Sequence, residues 1–157
     1  MCVRCDYSAS LESVDLPVTP HRLLVLEVVG NSSYPLSPQE IFETVRRSHP
    51  MNRVTLYRIL DLLVEKELVE RISSGDRTFR YGPAPSANHP PHPHFFCTRC
   101  RSMECLQPEA LPLDVRSLQR TFPALIEKVE IRLDGICSNC LRRKKARSMR
   151  PSSRRPS

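Results

Sequence analysis

Arg53-Val54-Thr55-Leu56-Tyr57-Arg58-Ile59-Leu60-Asp61-Leu62-Leu63-Val64-Glu65-Lys66, followed by Glu67-Leu68-Val69-Glu70-Arg71-Ile72-Ser73-Ser74-Gly75-Asp76-Arg77-Thr78-Phe79-Arg80-Tyr81, decides the fold. Over 53–66 the apolar residues Val54, Leu56, Ile59, Leu60, Leu63 and Val64 fall mostly at helical spacing, which predicts a helix. Leu68–Ile72 and Arg77–Tyr81 are short runs rich in β-branched and aromatic residues. They flank Ser73-Ser74-Gly75-Asp76, a turn signal, so a hairpin follows the helix directly.

Upstream lie two more helices. Thr19-Pro20 reads as an N-cap with proline in the first turn, ahead of Leu23, Leu24, Leu26 and Val28, and Asn31-Ser32-Ser33 ends that helix. Ser37-Pro38-Gln39-Glu40 is a capping box, with Ile41, Phe42 and Val45 as its apolar face. His49-Pro50 stops it, because the residue before proline is pushed out of the helical region. Three helices and a hairpin are the order of a winged helix-turn-helix, whose third helix enters the major groove near its N-terminus. The residues there are Asn52, Arg53, Thr55, Tyr57 and Arg58. Arginine suits phosphate or a guanine edge, and a threonine methyl or tyrosine ring suits a thymine methyl. The hairpin offers Arg71, Arg77 and Arg80 to the DNA backbone. A plain helical bundle with a polar face is the competing reading.

Five prolines within residues 82–93 make a stiff, extended hinge. Beyond it His94-Phe95-Phe96 and 102–106 read as short strands, Leu113 to Phe122 as a helix, and Lys128 to Leu133 as a half-buried strand with alternating faces. The division is therefore 1–81, a winged-helix DNA-binding domain; 82–93, the hinge; 94–141, a second domain; and 142–157, a basic disordered tail. Eight of the 24 basic residues lie in that tail with no acid, leaving 16 bases against 17 acids in residues 1–141. The net charge of +7 thus belongs to an extension that suits a polyanion or merely solubilises the chain. No apolar run approaches the ~20 residues that a spanning helix needs. The N-terminus has no apolar core of a secretory signal, so a cytoplasmic location is expected.

Seven cysteines stand at 2, 5, 97, 100, 105, 137 and 140, an odd number that fits metal or redox use better than a disulfide framework. Cys97-x-x-Cys100 and Cys137-x-x-Cys140 are knuckles that each aim two thiolates at one point; together they make a closed, structural tetrahedral zinc site. Two disulfides or four free thiols are the alternatives. His89, His92, His94 and Cys105 form a second cluster whose thiolate favours zinc over harder ions. Against this, a proline-rich segment can simply hold exposed histidines. Cys2-Val3-Arg4-Cys5 is a third metal arm, a redox pair, or neither; His21 and His49 read as structural. No His-Glu-x-x-His, phosphate loop, nucleophile elbow or paired carboxylates occur, so no enzyme is expected.

Thr19-Pro20-His21-Arg22, Ser37-Pro38-Gln39-Glu40-Ile41-Phe42, Val54-Thr55-Leu56-Tyr57-Arg58-Ile59-Leu60, and His92-x-His94-x-x-Cys97-x-x-Cys100 through Gly135-x-Cys137-x-x-Cys140 together resemble the ferric uptake regulator family over about residues 17–141. The resemblance implies an α+β chain: an N-terminal winged helix-turn-helix plus a small C-terminal α/β dimerisation domain with a four-cysteine zinc site. It further implies a homodimer on a pseudo-palindromic double-stranded DNA operator, and a regulatory metal between the domains. DNA reading carries over to Thr55, Tyr57 and Arg58, with Arg22 in the first motif and Arg77 in the wing as further contacts. The regulatory site departs from the family. His92 and His94 stand at its His-x-His positions, but Cys105 replaces a carboxylate, Pro35 a histidine and Gly82 an acid. Pro91, Pro93, Pro112 and Val129 occupy a second sensory site. The cysteine points to the zinc uptake regulator branch, with His89 as a substitute ligand. The expected function is a zinc-sensing repressor of metal-uptake genes. The alternatives are the same fold with structural zinc only and a thiol-redox or peroxide effector, and a zinc-stapled nucleic-acid module without sequence preference.

Overall fold

The computed structural model describes residues 5–148, with side chains to 146. Helix α1 (Tyr7–Glu12) precedes α2 (Pro20–Gly30), α3 (Pro38–Val45) and α4 (Arg53–Glu65), and strands β1 (Val69–Ser73) and β2 (Phe79–Pro83) form the hairpin. The starts of α2, α3 and α4 are each capped by a side chain. Thr19 accepts from Arg22 N, Ser37 and Glu40 form the reciprocal capping box, and Asn52 Oδ1 accepts from Thr55 N at 2.8 Å. The apolar faces converge on one core of Leu11, Val25, Val29, Ile41, Val45, Leu56, Leu60, Leu63, Val69 and Tyr81. Each such side chain contributes about 1.5–3 kcal/mol on burial, so the packing rather than propensity holds these short helices. An isolated antiparallel bridge between Leu36 and Tyr81 ties the segment before α3 to the two-stranded wing. This is a winged helix-turn-helix unit.

Helix α1 is an element the sequence reading did not anticipate. Asp6 caps it by accepting from Ala9 N, and the Tyr7 ring lies against Gly30, where a Cβ would come within 2.5 Å of the phenol oxygen. A Cβ at position 30 would force the Tyr7 ring to move.

The second unit is a three-stranded sheet in the order β4-β3-β5, with β3 (His94–Cys97) antiparallel to β4 (Met103–Cys105) and parallel to β5 (Arg132–Gly135). A 3-10 turn (Pro108–Ala110) and α5 (Val115–Thr121) connect β4 to β5, and α6 (Ser138–Ser148) follows. The expected strand at Lys128 to Leu133 is corrected: pairing starts at Arg132 and runs to Gly135. The reason is the register, His94 against Arg132 and Cys97 against Gly135, which delivers Cys137 beside Cys97. Before Arg132, Ile131 still accepts from His94 N at 2.9 Å, but residues 128–131 form no strand. Two boundaries shift as well. β2 runs on through Gly82 and Pro83, and α6 carries helix through Ser148 into the stretch read as a disordered tail. The rest of that tail, and Cys2, lie outside the described residues.

The sheet unit has little apolar core of its own. Ile72 from the wing packs on Phe96 and Met103, and Phe95 and Ile136 pack on the cysteines. Leu111, Leu113, Leu118, Phe122, Leu125, Val129 and Leu133 are all exposed. Polar contacts also join the two units. Arg132 Nη1 donates to the Ser73 carbonyl at 2.9 Å and to Ser73 Oγ at 3.2 Å, while Ser73 N donates to Glu130 Oε1 at 3.0 Å. Gly75, at φ +74°, lets the guanidinium lie flat against the turn. No helix among the described residues is long and apolar enough to cross a membrane.

Candidate metal centres and DNA-facing helix

Cys97 ends β3, Cys100 closes the turn after it, Cys137 follows β5, and Cys140 sits in the first turn of α6. Arg101 takes a left-handed φ of +61° so that its N–H reaches the Cys97 carbonyl at 2.8 Å. Thr98 ties this knuckle to the other one through the Gly135 carbonyl, by N–H at 2.8 Å and by hydroxyl at 3.1 Å. All four sulfurs lie within 4.8 Å of one another, with Cys100 Sγ and Cys137 Sγ 3.7 Å apart. Sulfurs about 2.3 Å from a shared zinc stand about 3.8 Å apart in a tetrahedron, so the cluster has the right size. Cysteines 97, 137 and 140 are buried.

The protonation states conflict as they should at such a site. Burial pushes the Cys97 thiol up, but N–H groups of Cys100, Cys137 and Arg99 outweigh it and bring Cys97 down to about 6. Cys137 N–H donates to Cys97 Sγ at 3.3 Å. Cys140 is pushed up to about 12 by burial and then by the three sulfurs around it. Four thiolates cannot coexist in this space without a cation, and a divalent one removes the conflict. The donor set fits a structural zinc and leaves no open position for substrate.

The second cluster forms where the hinge meets the sheet. His92, His94 and Cys105 bring their ligand atoms within 4.8 Å of one another. His94 and Cys105 are register partners across β3 and β4, so the sheet itself holds them together. His92 Nδ1 lies 3.0 Å from the Pro90 carbonyl. A carbonyl only accepts, so Nδ1–H donates to it and fixes the ring. The ring's Nε2 is buried and has no hydrogen-bond partner. An orphaned imidazole nitrogen, its ring fixed by a backbone carbonyl, is the arrangement of a metal ligand. His94 is 4% exposed, and burial, then the neighbouring His92, pulls it down to about 4, which keeps it neutral. The Cys105 thiol is raised by burial and then by Glu70.

These residues line a cavity of about 250 Å³ that both units share. His89 lines it too, its ring edge-on to His92 at 4.8 Å, but it stands outside the three-residue set. Pro35 and Gly82 form part of the wall and bring no donor. Glu70 was missed in the sequence. It lines this cavity from β1, and burial, opposed by Lys128 and His92, raises its carboxyl. In the sequence it is an ordinary acid in an alternating strand; only the folding of the wing over the hinge brings it here. Pro91, Pro93, Pro112 and Val129 also meet, around a separate apolar cavity of about 550 Å³. Cys5 is half-buried and lines a third cavity with Glu67 and His89.

Helix α4 buries Leu56, Ile59, Leu60 and Leu63 and turns Val54 (60% exposed), Tyr57 (44%) and Arg58 outward. An exposed tyrosine and valine beside arginines form a surface matched to thymine methyls and phosphates. Asn52 is committed to the cap, and Arg53 lies over the Phe42 ring at 4.6 Å while staying exposed. Thr55 is half-buried, and Arg22 Nη1 donates to the Pro17 carbonyl at 3.0 Å. Arg77 is exposed at the wing turn with φ +65°, and Arg71 stacks on Phe79 at 4.4 Å. Arg80 is corrected: it does not face outward but pairs with Glu40 at 3.1 Å and donates to the Arg101 carbonyl. His21 Nε2 meets the Pro50 carbonyl at 3.1 Å, a structural contact as expected.

Residues 13–119 match the ferric uptake regulator family. The transcriptional regulator FurA of Mycobacterium tuberculosis is 32% identical over 139 residues, spanning 86% of this chain and 90% of its own. The ferric uptake regulator of Helicobacter pylori, described with three functional metal-binding sites, superposes with a TM-score of 0.66 at 22% identity, covering 85% of this chain and 87% of that one. A zinc uptake regulator complexed with zinc and DNA superposes with a TM-score of 0.60 at 21% identity, covering 90% and 99%. At those identities the two structures bear on the fold alone.

Proposed function

The chain belongs to the ferric uptake regulator family, whose members are dimeric, metal-responsive, DNA-binding transcription regulators and not enzymes, and from that premise we propose that it is a zinc-sensing repressor of metal-uptake genes. The observation that carries the reading is the buried, unpartnered Nε2 of His92 beside His94 and Cys105, at the junction of the two units. Two imidazoles and a thiol select a borderline-soft ion over iron or manganese. Glu70 is the carboxylate within the same cavity and comes from the DNA-binding side.

In this reading Cys97, Cys100, Cys137 and Cys140 hold a structural zinc, and His92, His94 and Cys105 hold a regulatory one, with His89 and Glu70 closing the site. Bound zinc would tie the sheet to the hinge over 82–93 and so fix the wing and α4 of residues 1–81. Only a preference for the DNA-competent arrangement shifts the equilibrium. A ~100-fold gain in DNA affinity needs about 2.7 kcal/mol of coupling, within reach of one site. The exposed apolar residues from Leu111 to Leu133 suit burial against a second copy, which would set the spacing of two α4 helices on a pseudo-palindromic operator. Asn52, Arg53, Thr55, Tyr57, Arg58, Arg22 and Arg77 are the proposed DNA contacts.

The test is zinc stoichiometry together with binding, across buffered free zinc, to a duplex selected from a random pool by the zinc-loaded protein. Parent protein should hold two zincs per chain and gain affinity as the second binds. Cys105→Ala should keep one zinc, the fold and the dimer, and lose most of the gain. A variant that answers zinc like the parent overturns the assignment. Binding restored by reductant without zinc would instead favour a thiol-redox effector.

A further inference from the structure

Helix α6 has almost nothing to pack against. Within it Cys140 is buried, whereas Ser138, Asn139 and every side chain from Leu141 to Ala146 are exposed. Four consecutive cations, Arg142, Arg143, Lys144 and Lys145, fill its middle turns, and Arg147 follows. No acidic side chain occurs anywhere after Asp134 in the sequence. Like charges three residues apart on a helix repel, and 11 residues are short for an isolated helix in water. What roots this helix is the thiol cluster: Cys137 and Cys140 flank its start, and Leu141 N donates to the Cys137 carbonyl at 2.9 Å. The protein therefore maintains a projecting cationic rod that its own core does not use.

The charge balance says what the rod fits. Residues 1–141 carry 16 bases and 17 acids, so the whole positive charge of a DNA-binding chain resides from Arg142 onward. We propose that α6 is a second DNA-binding element, a phosphate-tracking helix that contacts the duplex backbone outside the bases read by α4. Arginines and lysines on adjacent turns meet successive phosphates, displace counterions and carry no sequence information. Two copies in a dimer double the effect. The inference rests on the reading of this chain as a DNA-binding regulator, yet concerns a surface apart from the winged helix.

The test uses the zinc-loaded full chain and the variant Arg142→Gln/Arg143→Gln/Lys144→Gln/Lys145→Gln, since glutamine keeps helix propensity. Binding to the selected operator and to an unrelated duplex is measured by anisotropy across potassium chloride concentration. Each lost phosphate contact lowers the slope of log affinity against log salt by about 0.9. Two contacts per helix would thus lower a dimer's slope by roughly 3 to 4. Affinity for both duplexes should fall by the same factor, leaving their ratio unchanged. Arg58→Ala should instead collapse the ratio. Equal slopes for parent and variant overturn the proposal. So does zinc-independent loss of the parent, but not the variant, onto phosphatidylglycerol vesicles with unchanged DNA slopes, which would assign α6 to an anionic membrane surface. A parent that binds duplexes without selectivity sinks the operator reading while the salt comparison still decides the role of α6.

Discussion

Arg132→Met should loosen the DNA-binding unit from the sheet without unfolding either. Arg132 spans the junction. One edge of its guanidinium is held by Asp134 of its own strand, at 2.7 and 3.1 Å, and Nη1 reaches the Ser73 carbonyl and hydroxyl on the wing. Methionine keeps the apolar stem and removes the donors. A hydrogen bond from a charged donor is worth about 1.5–3 kcal/mol when well buried. Arg132 is 23% exposed and water can replace part of the loss, so about 1–2 kcal/mol for the pair of bonds is the expectation. That is roughly a 5–30-fold shift towards the undocked arrangement. The reporter is the Ser73 amide, whose bond goes across the junction to Glu130. Its hydrogen exchange in the native protein should accelerate by the same factor. The Tyr81 amide, bonded to Leu36 within the winged helix, should keep its rate. Zinc affinity at the hinge cluster should fall in parallel, because a site that needs the docked state is weakened by the fraction lost. An unchanged Ser73 rate would refute the idea that these bonds hold the units together. Equal acceleration at Ser73 and Tyr81 would show unfolding instead.

Cys137→Ser should remove the structural zinc and, with it, the sheet unit and the dimer, because such a site supplies ~10 kcal/mol or more of folding free energy; a zinc-free, folded dimer by sedimentation would defeat that view. Arg58→Ala should cost about 1–3 kcal/mol per half-site against the preferred operator and little against unrelated DNA, read as a loss of selectivity in competition binding. The neutral His94 makes the fold acid-sensitive. Its value is depressed to about 4 from an unfolded value near 6.5, so its contribution is complete above pH 6.5 and is lost as pH falls towards 4. Urea midpoints of parent protein should therefore drop between pH 7 and pH 5 more steeply than those of His94→Leu; parallel pH profiles would contradict it.

The winged helix was legible because its information is local. Thr19 and Ser37 cap the helices where the residue types require, Pro20 and Pro38 mark first turns, and Gly75 marks the wing. The cysteine knuckles were legible for the same reason, since a two-residue gap alone aims both sulfurs at one point. Boundaries failed where a long-range partner decided them. β5 starts at Arg132, not Lys128, because β3 and the cysteines impose its register. α1 is held by its Asp6 cap, by buried Leu11 and by the Tyr7 ring against Gly30, packing that no periodicity in 5–12 announces. Arg80 looks like a DNA-facing wing residue in the sequence, yet Glu40, forty positions away, turns it inward. Sequence by itself determined the run of three helices and a hairpin over 19–81, the caps at Thr19 and Ser37, the four-thiol set and the family, all written in residue types at short spacing. Only the tertiary structure decided that His92 keeps an unpartnered, buried ring nitrogen beside His94 and Cys105, that Glu70 shares their cavity while His89 stands outside the set, and that the basic segment begins as an exposed helix. Those outcomes depend on how the wing, hinge and sheet close on one another, which no local pattern encodes.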